Sequence, residues 1–201
     1  MKVLLLSKNF RDGEDVSEYT KNLAEHLVSE GHDATIISFD DGSYYSVNDE
    51  VQVERFPLHF EGDNLYNWSM MMNNEMKGRV TDLMEDREFD IIHANDWTTV
   101  PGGVSLSKHR EIPLVLTLHS TENERGFNGE QSQAISEMEW QGVYEADRVL
   151  VNRDDTRNSA IFDLDAPEDK IEMIDPMSHG WQQTVLKKYR EVLNNRKEVK
   201  N

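Results

Sequence analysis

Phe89-Asp90-Ile91-Ile92-His93-Ala94-Asn95-Asp96-Trp97 is the stretch that decides how this chain folds. Ile91 and Ile92 are apolar and β-branched, which suits a strand covered on both faces. His93, Asn95, Asp96 and Trp97 then arrive together, where a parallel strand would leave its sheet. In open α/β sheets that carboxyl edge is where ligands bind. The stretch reads as core at one end and site at the other.

Outward from it, strands and helices alternate. Lys2–Ser7 (KVLLLS) is a continuous apolar run, the mark of a doubly covered strand. A polar loop with one glycine, Gly13, precedes a helix in which Val16, Tyr19, Leu23 and Leu27 recur at helical steps, and Gly31 stands where a C-terminal glycine belongs. Ala34–Phe39 is a second strand, so the first unit is β-α-β and its strands run parallel. Val51–Phe56 alternates as a third strand ended by Pro57. A long helix is predicted over Asn64–Asp86, with Leu65, Trp68, Met72, Met76, Val80 and Leu83 on its core face. The same alternation continues beyond the decisive stretch: helix Thr99–Arg110, strand Ile112–Leu118, helix Ser132–Glu145 with apolar points at Ile135, Met138, Val143 and Tyr144, strand Arg148–Val151, helix Asp154–Phe162, strand Ile171–Ile174. A final helix is expected from Trp181 to about Asn194, with a frayed polar tail after it. The pattern is that of a doubly wound α/β domain with a mostly parallel sheet, over residues 1–177, plus a packed helix over 178–195 and a tail over 196–201.

Composition narrows the function classes. Asp and Glu number 39 against 21 Lys and Arg, a formal charge of −18. Such a surface repels nucleic-acid phosphates and anionic membranes. The carboxylates are spread along the chain, which marks a surface property rather than a binding tail. Two readings of the acidity stand, adaptation to high salt and an ordinary acidic cytosolic protein. With no cysteine there is no disulfide or thiolate chemistry. No apolar run approaches a membrane span, and Met1–Ser7 is too short for a signal peptide, so a cytoplasmic location is expected.

Three polar clusters follow strands. In the first loop, KNFRDGEDV, Gly13 is surrounded by Asp12, Glu14 and Asp15. That is poor ground for a phosphate, and capping of the next helix by Asp or Ser is the favoured reading. At the decisive stretch, His93 and Asn95 do not have the spacing of a metal site. Asp96 either caps the next helix or holds sugar hydroxyls, with Asn95 beside it and Trp97 offering an apolar face to a pyranose ring. His119-Ser120-Thr121 leaves its own strand in the same way. Neighbouring strands would bring His119 and Asp96 to one sheet edge.

On these residues the chain resembles the glycogen and starch synthases and their glycosyltransferase relatives of GT-B fold. DIIHANDW resembles their "hAHDW" strand end, IPLVLTLHSTENERG their "IPLVFTIHNTEFGRG", MEWQGVYEADRVLV their "EEWEAVYEADKVIAVS", and APEDKIEMIDP their "PEEKIRVIPNGID". The opening KVLLLS and the stretch HLVSEGHDATIIS resemble the start of such enzymes, and WQQTVLKKYREVL their last helix. The resemblance implies two Rossmann-like domains around a cleft, the first for an α-glucan or other sugar acceptor and the second for ADP- or UDP-glucose. It implies retaining glucosyl transfer without a metal or other cofactor. Carried over by position, it makes Asp96 and His119 catalytic, and His93, Asn95, Trp97, Ser120 and Gly13 substrate-binding. The chain departs from the pattern at Asp12-Gly13-Glu14, where the family has Gly-Gly, and at Asn95, where it has His. It also goes from the end of the first domain almost directly to the closing helix. The expectation is therefore an acceptor-side domain, inactive alone. The alternatives are a non-catalytic glucan-binding module and half of a split enzyme whose donor domain is a separate chain.

Overall fold

The computed structural model describes residues 1–199, with side chains through Lys197; the expected tail residues 200–201 lie outside the described residues. Seven strands form one sheet in the order β3-β2-β1-β4-β5-β6-β7, every neighbouring pair parallel. They are β1 (Lys2–Leu6), β2 (Asp33–Phe39), β3 (Gln52–Phe56), β4 (Ile91–Asn95), β5 (Leu114–Leu118), β6 (Arg148–Val151) and β7 (Ile171–Met173). The helices are α1 (Asp15–Ser29), α2 (Leu65–Asp86), α3 (Val100–Arg110), α4 (Ser132–Glu145), α5 (Asp154–Phe162) and α6 (Trp181–Val199). This is the single doubly wound domain that the alternation predicts.

Alternate residues of the central strands point to opposite sides, and both sides are apolar. Leu4, Leu6, Ile92, Leu116 and Val149 pack under α2, α3, α4 and α5. Val3, Leu5, Ile91, Val115 and Leu150 pack under α1 and α6. Two-sided burial explains why these strands read as unbroken apolar runs. The chain turns back through the sheet between β1 and β4, and the gap between their carboxyl ends is the crevice of such a fold.

Local chemistry sets the helix ends. Gly31 adopts φ +77 after α1, and the backbone N–H of His32 reaches Leu27 O at 2.9 Å, closing the helix as a left-handed glycine allows. Asn64 caps α2 by accepting the Asn67 N–H. Glu14, which precedes α1, makes no side-chain cap, so the expected Asp or Ser cap is absent there; Glu14 instead binds Arg11 and Asn9.

Three expectations change. Leu65 is half exposed, outside the apolar face of α2. On α4 it is Glu139, Gly142 and Val143 that turn inward, while Tyr144 is 64% exposed. Gly142 is there because α4 crosses close over the sheet: a Cβ would sit 2.6 Å from Val100 and 2.8 Å from Leu116. The last helix continues past Asn194 to Val199, because Arg196 is tied down by Asp147 (2.8 Å) and the Glu111 carbonyl (3.0 Å).

Candidate functional site at the carboxyl edge

Asp96 follows β4 at φ 56 and ψ 171. That region is essentially confined to glycine and costs on the order of 1–3 kcal/mol for a residue with a side chain. The surroundings hold it there. Its N–H donates to Thr117 O (2.8 Å), and its carbonyl accepts from Thr99 N–H (3.2 Å). Its carboxylate Oδ1 accepts the backbone N–H of His119 at 2.7 Å. Among the described residues Oδ2 has no hydrogen-bond partner. Asp96 precedes a 3-10 turn, Trp97–Thr99, yet its side chain does not cap that turn, so the capping reading is not met.

His119, next along the edge, is held in one tautomer. The Asn95 amide donates to Leu6 O (3.1 Å), which orients its Oδ1 toward His119 Nε2 at 3.2 Å. Nε2 must therefore carry the proton. Nδ1 then accepts from Asn152 Nδ2 at 2.8 Å. Burial keeps the ring neutral by lowering its pKa; Asp96 and Asp15 oppose this and Arg153 adds to it. The His119 carbonyl accepts from Arg153 at 3.0 Å. With both ring nitrogens committed, His119 is placed to shape the site rather than to shuttle a proton.

Behind it lies a buried polar line. Tyr19 packs edge-on to His119, with ring centroids 4.9 Å apart, and stacks on Trp181 at 4.5 Å. Its hydroxyl meets Thr117 Oγ1 at 3.3 Å, and Thr117 meets His93 Nε2 at 2.7 Å. His93 Nδ1 bonds the Tyr189 hydroxyl. Strands β4 and β5, helix α1 and the N-terminal half of α6 are thus stitched together beneath the edge.

The sequence-predicted residues divide accordingly. Asp96 and His119 come together. Asn95 is 2% exposed and serves to orient His119. His93 is 0% exposed, and burial lowers its pKa to about 3, so it is a core residue rather than a substrate contact. Trp97 is likewise buried, facing Tyr66, and presents no open ring to a sugar. Ser120 accepts from Arg125 at 2.7 Å. Gly13 adopts φ +78 with open space where a Cβ would be, so it makes the turn, its N–H donating to Asp12 Oδ1 at 3.0 Å. Asn152 and Arg153 were not anticipated. Both follow β6, and the strand-end rule that singled out Asp96 and His119 points to them as well.

Around His119, the loop Thr121–Gln131 is pinned by a buried carboxylate. Glu139 accepts the Glu122 N–H at 2.9 Å and Arg125 Nη2 at 2.8 Å. Burial pushes its pKa up to about 7; the N–H of Glu122 and Arg125 counter this and the charge of Asp96 adds to it. Among the described residues no group of three or more His, Cys, Asp or Glu is arranged to hold a metal ion, and no helix is long and apolar enough to cross a membrane.

Comparison with known proteins places this geometry. The model of glycosyltransferase family 4 matches residues 16–177. An uncharacterised glycosyltransferase of Methanocaldococcus jannaschii is 30% identical over 186 residues, 90% of this chain and 47% of that protein. The glycogen synthase of Mycobacterium tuberculosis is 26% identical over 172 residues, 76% of this chain and 41% of the synthase. The chain spans about half the length of these relatives, or less. A sucrose-phosphate synthase chain from Thermosynechococcus elongatus, described as 27_220_406_426, has a TM-score of 0.68 at 16% identity, covering 96% of this chain and 99% of that one. At that identity the likeness is one of fold, and it includes the Rossmann-like sheet together with a C-terminal helix. The family match over residues 16–177 covers most of the chain: the chain belongs to glycosyltransferase family 4.

Proposed function

We propose that the chain forms the acceptor-side wall of a retaining GT-B glycosyltransferase. In this reading Asp96 meets the transferred sugar, and an acceptor hydroxyl lies along the same edge. The resemblance to glycogen and starch synthases supplies the finer form, with ADP- or UDP-glucose as donor and an α-glucan as acceptor. The observation that carries the reading is Asp96, strained at φ 56 and held to the His119 N–H at 2.7 Å with one carboxylate oxygen unspent. Backbone strain persists where the surroundings over-determine it, and such places cluster at functional sites. A carboxylate so held accepts a sugar hydroxyl or faces the positive charge of an oxocarbenium-like transition state.

A donor-binding half would have to supply the contacts to the nucleotide, so the 201 residues alone do not turn over nucleotide sugar. The T. elongatus chain supports the architecture, since it shares this fold over 99% of its own length with a TM-score of 0.68. The test has two arms. Titration with malto-oligosaccharides should shift the indole N–H resonances of Trp97 and Trp181, which flank the site, and Asp96→Asn should weaken the response. Incubation with ADP- or UDP-glucose and glucan should give no product. Product formation by the purified chain would overturn the acceptor-half reading.

The acidic first loop, Asp12-Gly13-Glu14, favours a second reading, a glucan-binding module that takes no part in transfer. It predicts glucan binding that Asp96→Asn leaves unchanged.

A further inference from the structure

On the outer face of α4, Trp140 is 48% and Tyr144 64% exposed. Their rings stack at 5.5 Å and 16°. Among the described residues this is the only ring pair with both members exposed. Single exposed apolar side chains are ordinary on a soluble surface, whereas adjoining ones mark a place of contact. Trp and Tyr are also the residues that anchor protein interfaces.

The pair belongs to a seam. Gln133, Glu137, Trp140 and Tyr144 recur at steps of four, three and four, and all are exposed. That is the spacing at which one helix packs along another. The side of α4 that faces the sheet is a different one, carried by Ser132, Glu139, Gly142 and Val143. The two ends of the outer seam differ in charge. At one end Glu137 accepts the Gln133 amide at 3.0 Å and has no ion pair among the described residues. At the other, Lys170 Nζ donates to the Tyr144 carbonyl at 2.7 Å and lies 5.8 Å from the Tyr144 ring, also without an ion pair among the described residues. A two-fold axis near Trp140 lays each end on its opposite. Glu137 of one copy then meets Lys170 of the other on both sides of the aromatic rings, so the seam is complementary to itself.

We propose that the chain pairs with a second copy of itself through α4, as a two-fold dimer of antiparallel helices with Trp140 and Tyr144 at its centre and Glu137–Lys170 contacts at both ends. Two chains of net charge −18 repel at long range, so the contact strengthens as salt screens that repulsion. The Asp96 edge is no part of the seam: α4 runs from the loop after β5 to the amino edge of the sheet, where the Asp147 N–H meets Leu114 O at 2.8 Å. The dimer and the acceptor-side reading therefore stand or fall separately.

Sedimentation equilibrium of the purified chain, up to about 1 mM and at about 0.1 M and about 1 M NaCl, tests the proposal. The parent should show a monomer–dimer equilibrium that is tighter at the higher salt. Trp140→Ala, which removes an exposed side chain, should weaken it about tenfold or more. Glu137→Lys alone sets lysine against lysine across the axis, and Lys170→Glu alone sets glutamate against glutamate, so each variant should associate more weakly than the parent. An equimolar mixture of these two variants should recover the dimer, because each then meets its opposite in the other chain. No contact within one chain gives that result. A parent that stays monomeric at about 1 mM in both salts would overturn the proposal. So would a dimer that Trp140→Ala leaves unchanged, or a mixture that associates no better than either variant alone. A monomer whose Trp140 indole resonance shifts with malto-oligosaccharides would assign the rings to a saccharide instead of a second copy.

Discussion

Replacing Asp96 by glycine should cost less stability than replacing it by alanine, the reverse of the usual order. Two contributions oppose each other at this residue. Its backbone, at φ 56 and ψ 171, is strained by about 1–3 kcal/mol. Its carboxylate accepts the His119 N–H at 2.7 Å, and a hydrogen bond to a charged group contributes about 1.5–3 kcal/mol. Asp96→Ala loses the bond and keeps the strain, a loss of about 2 kcal/mol. Asp96→Gly loses the bond but relieves the strain, against an unfolded-state entropy cost of about 0.4–1 kcal/mol. Glycine should therefore lie about 1 kcal/mol above alanine and within about 1 kcal/mol of the parent. For a chain of this length that gap is about 2–4 °C in Tm. Thermal melts of the three proteins in one buffer read the order directly, with urea midpoints and equal m-values as the cross-check. A Tm for Asp96→Ala equal to or above that of Asp96→Gly would refute the claim that the fold holds Asp96 in strain for the sake of its carboxylate. Both variants should lose the saccharide response at Trp97 and Trp181.

Further outcomes follow from the buried groups. His93 is held neutral, its pKa lowered from 6.5 to about 3; unfolding frees it to take a proton, so stability is lost as pH falls below about 6.5, by up to roughly 4–5 kcal/mol. His93→Gln, which keeps hydrogen-bonding capacity without titrating, should flatten that acid limb in pH-dependent denaturation. Glu139 runs the other way: its pKa rises from 4.5 to about 7, so its contribution is full below about 4.5 and lost as pH rises through about 7, roughly 3 kcal/mol in all. Glu139→Gln should be more stable than the parent at pH 8 and not at pH 4, read by the same melts. Deleting α6 should abolish the fold: Trp181, Val185, Leu186, Tyr189 and Val192 are each no more than 6% exposed. Burying five such side chains contributes on the order of 10 kcal/mol, comparable to the whole stability of a domain, and circular dichroism would show the loss. With a net charge of −18, Tm should rise between 0.1 M and 1 M NaCl as the Debye length shrinks from about 10 to about 3 Å.

The strands and their order of burial were legible because their chemistry is local. Val3 to Leu6 are apolar at every position and Leu114 to Leu118 at every position but Thr117, and only a doubly covered strand calls for that. The pairing of Asp96 with His119 was legible too, since residues that follow adjacent parallel strands share an edge. The same reasoning did not show that His93 and Trp97 are buried. Residue type shows that a group is polar or aromatic but not which way the strand end faces, and here the chain turns both inward. Glu139 was hidden for a related reason: a carboxylate on an amphipathic helix reads as solvated unless its partners, Glu122 N–H and Arg125, are known to lie beneath it.

The sequence by itself determined the α/β alternation, the parallel sheet and the edge at which the polar strand-end residues gather, because periodicity and strand-end polarity are written in consecutive residues. Only the tertiary structure decided which of those polar groups are available. Asn95 faces His119 because its amide is committed to Leu6 on the neighbouring strand, and Asp96 keeps one oxygen free because the other is spent on a backbone N–H 23 residues away. Such commitments are made between strands, and side-chain availability is what remains after them.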